Sequence, residues 1–355
     1  MMDYEMFKAV VKERFLSYLP PEYRDAEVRL LPVQKVNRTM DGLTVYKSSD
    51  ARISPTIYVD DMYRHYQSCN DLESVLRQSA GKYAEAIGSV KDNEMDFDME
   101  HFEDNVVMCL VNTEQNRELL AGVPNRAFHD LSVIYRWVMG NTPDAVGSVI
   151  VTDSVAKMAG VTEEELFRCA SQNTRQISPV SIITIQDLML ELMQLPPEMK
   201  SMFEQEKSPK ESMWVITNAN RNNGAVSMLY EENLHKLAEK VGDDLFILPS
   251  SIHEVIAVPA EMAGGNPAYL AEMVHDVNMG EVELEERLSN SVYHYDRNAR
   301  KVTLAAESPE KRLDGKQMVF SGSSEGTVEN RNPVECRRDD SLPQPSFRKP
   351  PPIRG

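Results

Sequence analysis

The stretch that decides the fold is residues 214–259, WVITNANRNNGAVSMLYEENLHKLAEKVGDDLFILPSSIHEVIAVP. Its succession of apolar runs, an Asn- and Gly-rich loop and an amphipathic segment predicts strand, loop, helix, strand, tight turn and strand. The runs 245–248 and 255–258 are apolar on both faces, which is typical of strands inside a sheet. Between them, residues 249–254 (PSSIHE) place hydroxyls, an imidazole and a carboxylate in one turn.

The polar turn has a catalytic interpretation and a structural one. In the first, a hydrolase or transferase uses Ser250 or Ser251 as nucleophile and His253 as base. Glu254 would lie beside them, but triads usually assemble from separate segments and no orienting partner stands out in the sequence. In the second, the hydroxyls pair backbone N–H groups, each of which would cost about 1–3 kcal/mol if left unpaired. The structural interpretation is favoured, and the exposure of His253 would decide the matter.

A zinc site at the same turn is not supported. The helical H-E-x-x-H motif needs a second histidine four residues after His253, where this chain has Ala257. The sequence also lacks the phosphate-binding and dinucleotide-binding glycine fingerprints, so neither a metal nor a cofactor is predicted.

The loop 218–224, NANRNNG, is the second candidate site. A strand-to-helix loop of this kind can offer backbone N–H groups to an anion, and Arg221 adds a positive charge. The ligand-binding candidates are therefore Asn218, Arg221, Asn223 and Gly224. The alternative is that the Asn side chains cap the following helix and shape the turn.

Composition limits the classes of function. The chain has 355 residues, 41% of them hydrophobic, and a formal net charge of -18. Such a charge repels phosphate backbones and anionic lipid, so nucleic acid and membranes are not expected partners. No apolar run approaches the roughly 18 residues of a membrane helix. The four cysteines are far apart in the sequence, which favours free thiols in the reducing cytoplasm.

The pattern of elements predicts an α+β protein. A small α+β unit is expected over residues 1–90, then a larger mixed-sheet α+β domain over 91–305 and a disordered tail over 306–355. The acidic segment 91–104 is the expected junction between the first two.

Some local predictions are specific enough to compare with a structure. Asp41-Gly42 has the chemistry of a hairpin turn. Thr162 with Glu165 forms a capping box for a helix over residues 163–177. Residues 182–193 are expected to be helical, and 292–295 with 302–304 to form a closing hairpin.

Four phrases of the chain resemble an uncharacterised bacterial family that is frequent in anaerobic gut bacteria. They are LVNTEQNRELLAGVP, NGAVSMLYEENL, LPSSIHEVIAVP and LSNSVYHYDR. The resemblance covers roughly residues 1–305 and implies a bacterial, cytoplasmic α+β protein. Because the family is known only as a domain of unknown function, the resemblance implies no catalytic residue, ligand or mechanism.

The leading functional expectation is a soluble, cytoplasmic, non-enzymatic binding or regulatory protein. It follows from the absence of any assembled catalytic or cofactor signature in the sequence. The expected partner is an unidentified protein or small ligand. The alternative is an unfamiliar hydrolase or transferase built on the Ser250–Glu254 turn.

Overall fold

The computed structural model describes residues 1–46, 55–92, 99–142, 145–193, 208–308, 310 and 312–314. Within these ranges the chain is α+β, as predicted, and its strands form three sheets. Every strand pair that the structure describes is antiparallel, which corrects the expectation of a mixed sheet. Short turns such as residues 249–254 join neighbouring strands directly, and a direct turn makes those neighbours antiparallel.

The N-terminal part folds around a three-stranded sheet of order β1-β2-β3. Its elements are α1 (Tyr4–Arg14), β1 (Glu27–Lys35), β2 (Arg38–Tyr46), β3 (Thr56–Tyr58), α2 (Val59–Cys69) and α3 (Leu72–Asp92). Asp3 caps α1 by accepting the N–H of Met6, and the apolar stripe of that helix buries Phe7 and Val11. These residues belong to a hydrophobic core that the N-terminal part has to itself.

The first hairpin turns at Val36-Asn37, so the predicted turn at Asp41-Gly42 is wrong. Asp41 and Gly42 lie within β2. A Cβ on Gly42 would come within 2.6 Å of a Val33 methyl group. Glycine is therefore needed there for close cross-strand packing rather than for a turn. Asn37 takes the left-handed conformation (φ 65°), which Asn tolerates better than most residues.

The second sheet has four strands in the order β4-β6-β5, with β7 also paired to β6. This part of the chain contains β4 (Val106–Asn112), α4 (Arg117–Leu120), β5 (Asn125–Phe128), β6 (Leu131–Thr142), β7 (Ala145–Ile150), α5 (Asp153–Ala159) and α6 (Glu163–Ile177). The capping box of Thr162 and Glu165 is present at the start of α6, which confirms that prediction. The two-residue turn His129-Asp130 connects β5 to β6.

The third sheet has six strands in the order β13-β12-β10-β11-β9-β8. Its part of the chain contains β8 (Val180–Thr184), α7 (Ile185–Leu192), β9 (Trp214–Asn218), α8 (Glu231–Val241), β10 (Leu245–Leu248), β11 (Val255–Pro259), α9 (Pro267–Gly280), β12 (Val292–Asp296) and β13 (Lys301–Ala306). The closing hairpin of β12 and β13 confirms its prediction. This sheet shares one hydrophobic core with the four-stranded sheet.

The segment 182–193 begins as a strand, although the sequence predicted a helix. Ile182 and Ile183 pair with β9, and the helix begins only at Ile185. Thr184 caps that helix by accepting the N–H of Asp187. Pairing with a buried neighbouring strand, together with the β-branched side chains, outweighs the helical pattern at the start of the segment.

All the described residues belong to one compact unit, Met1–Gln317. The chain keeps its contacts beyond residue 305, since Leu313 is buried and its N–H donates to Gln115 Oε1 at 3.1 Å. Of the predicted tail, 306–355, residues 309, 311 and 315–355 lie outside the described residues, and the division at residue 90 remains a prediction. No helix in the described ranges is both long and apolar enough to cross a membrane.

Candidate functional site

The polar turn between β10 and β11 is held by a bond within the turn and by backbone bonds to residues 286–289. Ser251 is buried, and its Oγ accepts the N–H of His253 at 3.0 Å. The carbonyl of Ser250 accepts the N–H of Leu288 at 3.0 Å, and Pro249 accepts that of Ser289 at 2.9 Å. The serine hydroxyl thus does what the structural interpretation required of it, which is to pair a turn N–H.

His253 is partly open to solvent, with 26% of its side chain exposed. Its Nδ1 accepts the N–H of Asn223 at 3.2 Å, so in the neutral ring the proton is on Nε2. Nε2 lies 3.6 Å from Glu286 Oε1. None of the hydrogen bonds in the described ranges joins the imidazole to a serine hydroxyl, so the nucleophile–base contact of a hydrolase is not formed there.

Glu254 is the last residue of the turn, and it is half-buried. Burial raises the pKa of its carboxyl, and the neighbouring His253 and a hydrogen bond with Ser251 act in the opposite direction. A carboxyl with a raised pKa near an imidazole is a recognised feature of functional sites, although structural networks produce it as well.

The loop 218–224 is closed by its own side chains. Asn218 Oδ1 accepts the N–H groups of Asn220 at 3.1 Å and Asn222 at 3.3 Å. The N–H of Asn223 is bound to His253, and Arg221 forms an ion pair with Glu191. An anion site would need such N–H groups to be available, and these three already have acceptors in the protein.

The structure brings the two predicted sites into direct contact. Thr217 Oγ1 donates to the carbonyl of His253 at 2.8 Å, beside the contact between Asn223 and His253. Gly224 lies at the centre of this contact. A Cβ there would be 2.3 Å from Thr217 Oγ1 and 2.5 Å from the His253 carbonyl oxygen. The sequence identified both segments as polar but gave no sign that they are in contact.

A second polar region surrounds a cavity of about 380 Å³. It lies where the end of β4, the β5–β6 turn, the start of β12 and the chain after β13 meet. The cavity is lined by Asn112, Thr113, Glu114, His129, Asp130, Asn290, Ser291, Leu304, Glu307, Ser308 and Glu310. Its volume falls within the range of about 300–1,000 Å³ that is usual for small-molecule sites.

One wall of the cavity is the turn His129-Asp130. Asp130 Oδ2 accepts the hydroxyl of Ser289 at 2.6 Å, and Oδ1 accepts the hydroxyl of buried Tyr293. Burial, and then the charge of Asp130, raise the pKa of Tyr293 well above its ordinary value. His129 has a left-handed backbone (φ 55°), and its ring lies 5.5 Å from that of Tyr293. The wall is therefore fixed in place before any ligand arrives.

Another part of the wall is formed by the residues that precede β12. Asn290 is buried, with its Oδ1 accepting from Asn278 at 2.7 Å and its Nδ2 donating to the Glu310 carbonyl at 3.2 Å. Ser291 is only 6% exposed, and its N–H donates to Ser289 Oγ at 2.9 Å. No hydrogen bond in the described ranges uses the hydroxyl of Ser291. A hydroxyl that lines a cavity and has no partner among the described hydrogen bonds is available to a ligand.

The described residues contain no group of three or more His, Cys, Asp or Glu side chains that could hold a metal ion.

Reasoning from sequence missed the cavity because its residues are far apart in the chain. Asp130 and Ser289, which share a hydrogen bond, are separated by 159 positions. One signal was available. The phrase LVNTEQNRELLAGVP contains Asn112 to Glu114, and LSNSVYHYDR contains Asn290 and Ser291. Two of the four phrases that resemble the bacterial family thus meet at the cavity.

No curated protein and no solved structure matches this chain. Residues 4–297 match the model of one family. This range covers the N-terminal part, both larger sheets up to β12 and most of the cavity wall. The chain therefore belongs to DUF5688, a family of unknown function.

Proposed function

We propose that this protein is a cytoplasmic, non-enzymatic binding module whose small ligand occupies the cavity between the His129-Asp130 turn and the start of β12. The observation that carries the proposal is the hydroxyl of Ser291, a buried residue that lines the cavity, because no described hydrogen bond uses this hydroxyl. The surrounding groups are already fixed by bonds within the protein, so a ligand would meet a preformed site. The described cysteines are free thiols, in keeping with a reducing compartment.

The test is a binding screen with a library of amines, amino acids, sugars and carboxylates, read by ligand-observed NMR and by thermal stabilisation. A true ligand raises the melting temperature in proportion to ln(1 + [L]/Kd). In Ser291→Ala, the loss of one hydrogen bond should weaken binding by up to about tenfold. Ser250→Ala is the matched control, because that serine lies in the polar turn and not in the cavity.

Two results would count against the proposal. The first is a screen in which no compound stabilises the protein. The second is a ligand that binds equally well to the wild type and to Ser291→Ala, since it would have to occupy another site.

The second candidate function is a hydrolase or transferase that uses the Ser250–Glu254 turn. It is supported by the raised pKa of Glu254 beside the partly exposed His253. The corresponding experiment is a broad panel of ester, amide and phosphate substrates. Turnover that His253→Ala and Ser251→Ala both abolish would support this function in place of the binding module.

A further inference from the structure

The charges around the cavity identify a class of ligand. From the lining described above, we infer that the ligand carries a primary ammonium group on a short aliphatic chain. The inference rests on the proposed function, because it concerns the occupant of the same cavity.

The first step is the sign of the charge. Four carboxylate side chains line the cavity, from Glu114, Asp130, Glu307 and Glu310, and the lining contains neither Lys nor Arg. The only other titratable lining side chain is His129. Glu114 pairs with Arg117, and Glu310 Oε2 lies 3.8 Å from His275 Nε2, so it is mainly Asp130 that would favour a cation over an anion.

The second step concerns Asp130, which has hydrogen bonds but no counter-charge. The hydroxyls of Ser289 and Tyr293 each donate to one of its oxygens. No ion pair in the described ranges includes Asp130. Asp130 is half-buried, and each of its oxygens keeps a lone pair for a further donor. A ligand ammonium group would supply both the charge and the donor.

The third step concerns the exposure of Glu114, which is lower than that of an ordinary surface carboxylate. Its side chain is only 16% exposed, and Arg117 Nη2 lies 2.6 Å from Glu114 Oε2. The ion pair uses Oε2 of Glu114 and leaves Oε1 without a described ion-pair partner. Asp130 and Glu114 are thus partly withdrawn from solvent, where screening by salt is weaker than at the surface.

The fourth step uses the remaining lining groups. Ser291 offers an unused hydroxyl, which can accept a hydrogen bond from an ammonium N–H. Leu304 supplies apolar surface on the same lining. An ammonium group with a short aliphatic stem can therefore place its charge among the carboxylates and its methylene groups against Leu304.

The experiment compares three probes of similar length on the full chain: 1,4-diaminobutane, neutral 1,4-butanediol and anionic succinate. We expect only the diamine to bind, and we expect its dissociation constant to rise with sodium chloride concentration. Glu114→Gln and Asp130→Asn should each weaken diamine binding about tenfold, because each removes a charge while nearly preserving shape.

The matched control is Glu5→Gln. Glu5, like Glu114, forms an ion pair three residues along its helix or turn, with Lys8 at 3.3 Å, but it lies in α1 outside the cavity. This variant should bind the diamine like the wild type. A loss as large as that of Glu114→Gln would show non-specific attraction to an acidic surface and would overturn the inference.

The outcomes also separate this inference from the proposed function. If the diol or succinate binds and Ser291→Ala weakens that binding, the binding module stands and the ammonium ligand is wrong. If the diamine fails and no compound of the larger library binds at Ser291, both are wrong. Glu114→Gln keeps the test decisive even if Asp130→Asn fails to fold, because Glu114 has no buried hydroxyl partner among the described bonds.

Discussion

The Ser250–Glu254 turn and the cavity beside the His129-Asp130 turn contain similar residue types but leave different atoms free. In the first, the Ser251 hydroxyl, His253 Nδ1 and the N–H of Asn223 are all engaged by neighbouring groups. In the second, Asp130 and Ser291 retain bonding capacity toward an open volume of about 380 Å³. The turn has used its hydrogen-bonding groups within the protein, whereas the cavity groups keep capacity for a ligand, and this difference is why we propose the binding site at the cavity.

The two regions also differ in packing. At Gly224 there is no room even for a methyl group, since three atoms would lie within 2.8 Å of a Cβ. At the cavity, side chains from four separate segments surround empty space. The first region is therefore expected to respond to substitution through stability, and the second through binding.

The largest expected effect is that of Gly224→Ala. The methyl group would meet the backbone of His253 and Asn218, which cannot move aside as a flexible side chain could. Overpacking of this kind should lower the free energy of unfolding by about 3 kcal/mol, measured by urea denaturation. Gly81→Ala is the control, since no atom lies within 4 Å of its Cβ position in α3. The free energy of unfolding of that variant should rise by about 0.5–1 kcal/mol, because alanine has a higher helix propensity than glycine. Equal effects of the two substitutions would contradict the difference in packing between the two glycines.

A smaller effect is expected for Asp130→Ala, which leaves the buried Tyr293 hydroxyl without its acceptor. The free energy of unfolding should fall by about 2 kcal/mol, the cost of one unpaired buried polar group. Removing that hydroxyl as well, in Asp130→Ala with Tyr293→Phe, should recover part of the loss. Additive losses in this double-mutant cycle would mean that the two side chains are not coupled, and that the cavity wall is not preformed.

The smallest expected effect is a pH dependence at Glu254. Because burial raises the pKa of this carboxyl in the folded protein above 4.5, the folded chain binds its proton more tightly than the unfolded chain. Its contribution to stability is therefore complete below the unfolded pKa and is lost as the pH rises through the folded pKa. Between about pH 4 and pH 7, the wild type should lose stability relative to Glu254→Gln, as measured by urea denaturation at each pH.

Glu231 supplies the control of opposite sign. Hydrogen bonds from Arg300 and then Tyr295 lower the pKa of Glu231 to about 2. Its contribution is present above the unfolded pKa and is lost as the pH falls toward 2. Relative to Glu231→Gln, the wild type should therefore lose stability on acidification. The same slope for both glutamates would contradict the assignment of a desolvated carboxyl to Glu254.

The sequence predicted those features that depend on neighbours along the chain. The capping box at Thr162 and the hairpin of β12 and β13 are patterns of a few residues, and both are present. The segment around Ile182 was misassigned because pairing with β9, more than thirty residues away, decides its conformation. Likewise, Asn37 forms the first turn with partners that no local pattern reveals.

The candidate sites divide in the same way. The Ser250–Glu254 turn could be found because its residues are adjacent, and its backbone pairing could be anticipated from the apolar strands on either side. The cavity was missed because Asp130 meets Ser289 and Tyr293 only through the arrangement of two sheets, although two of the family-like phrases contain part of its lining. The hydroxyl of Ser291 can be recognised as unused only after the other hydrogen bonds of the described residues are known.

The tip of the first hairpin has a consequence for the order of events during synthesis. Asn37 donates to the carbonyls of Leu284 and Arg287, which are 247 and 250 positions further along the chain. At the usual pace of translation, roughly 12–50 s separate the synthesis of Asn37 from that of Leu284 and Arg287. The side-chain amide of Asn37 therefore stays hydrated until almost the whole range that matches the family has been synthesised. Truncation before residue 284 would leave Asn37 with its bonds to Gln115 and Asn116 but without those to Leu284 and Arg287.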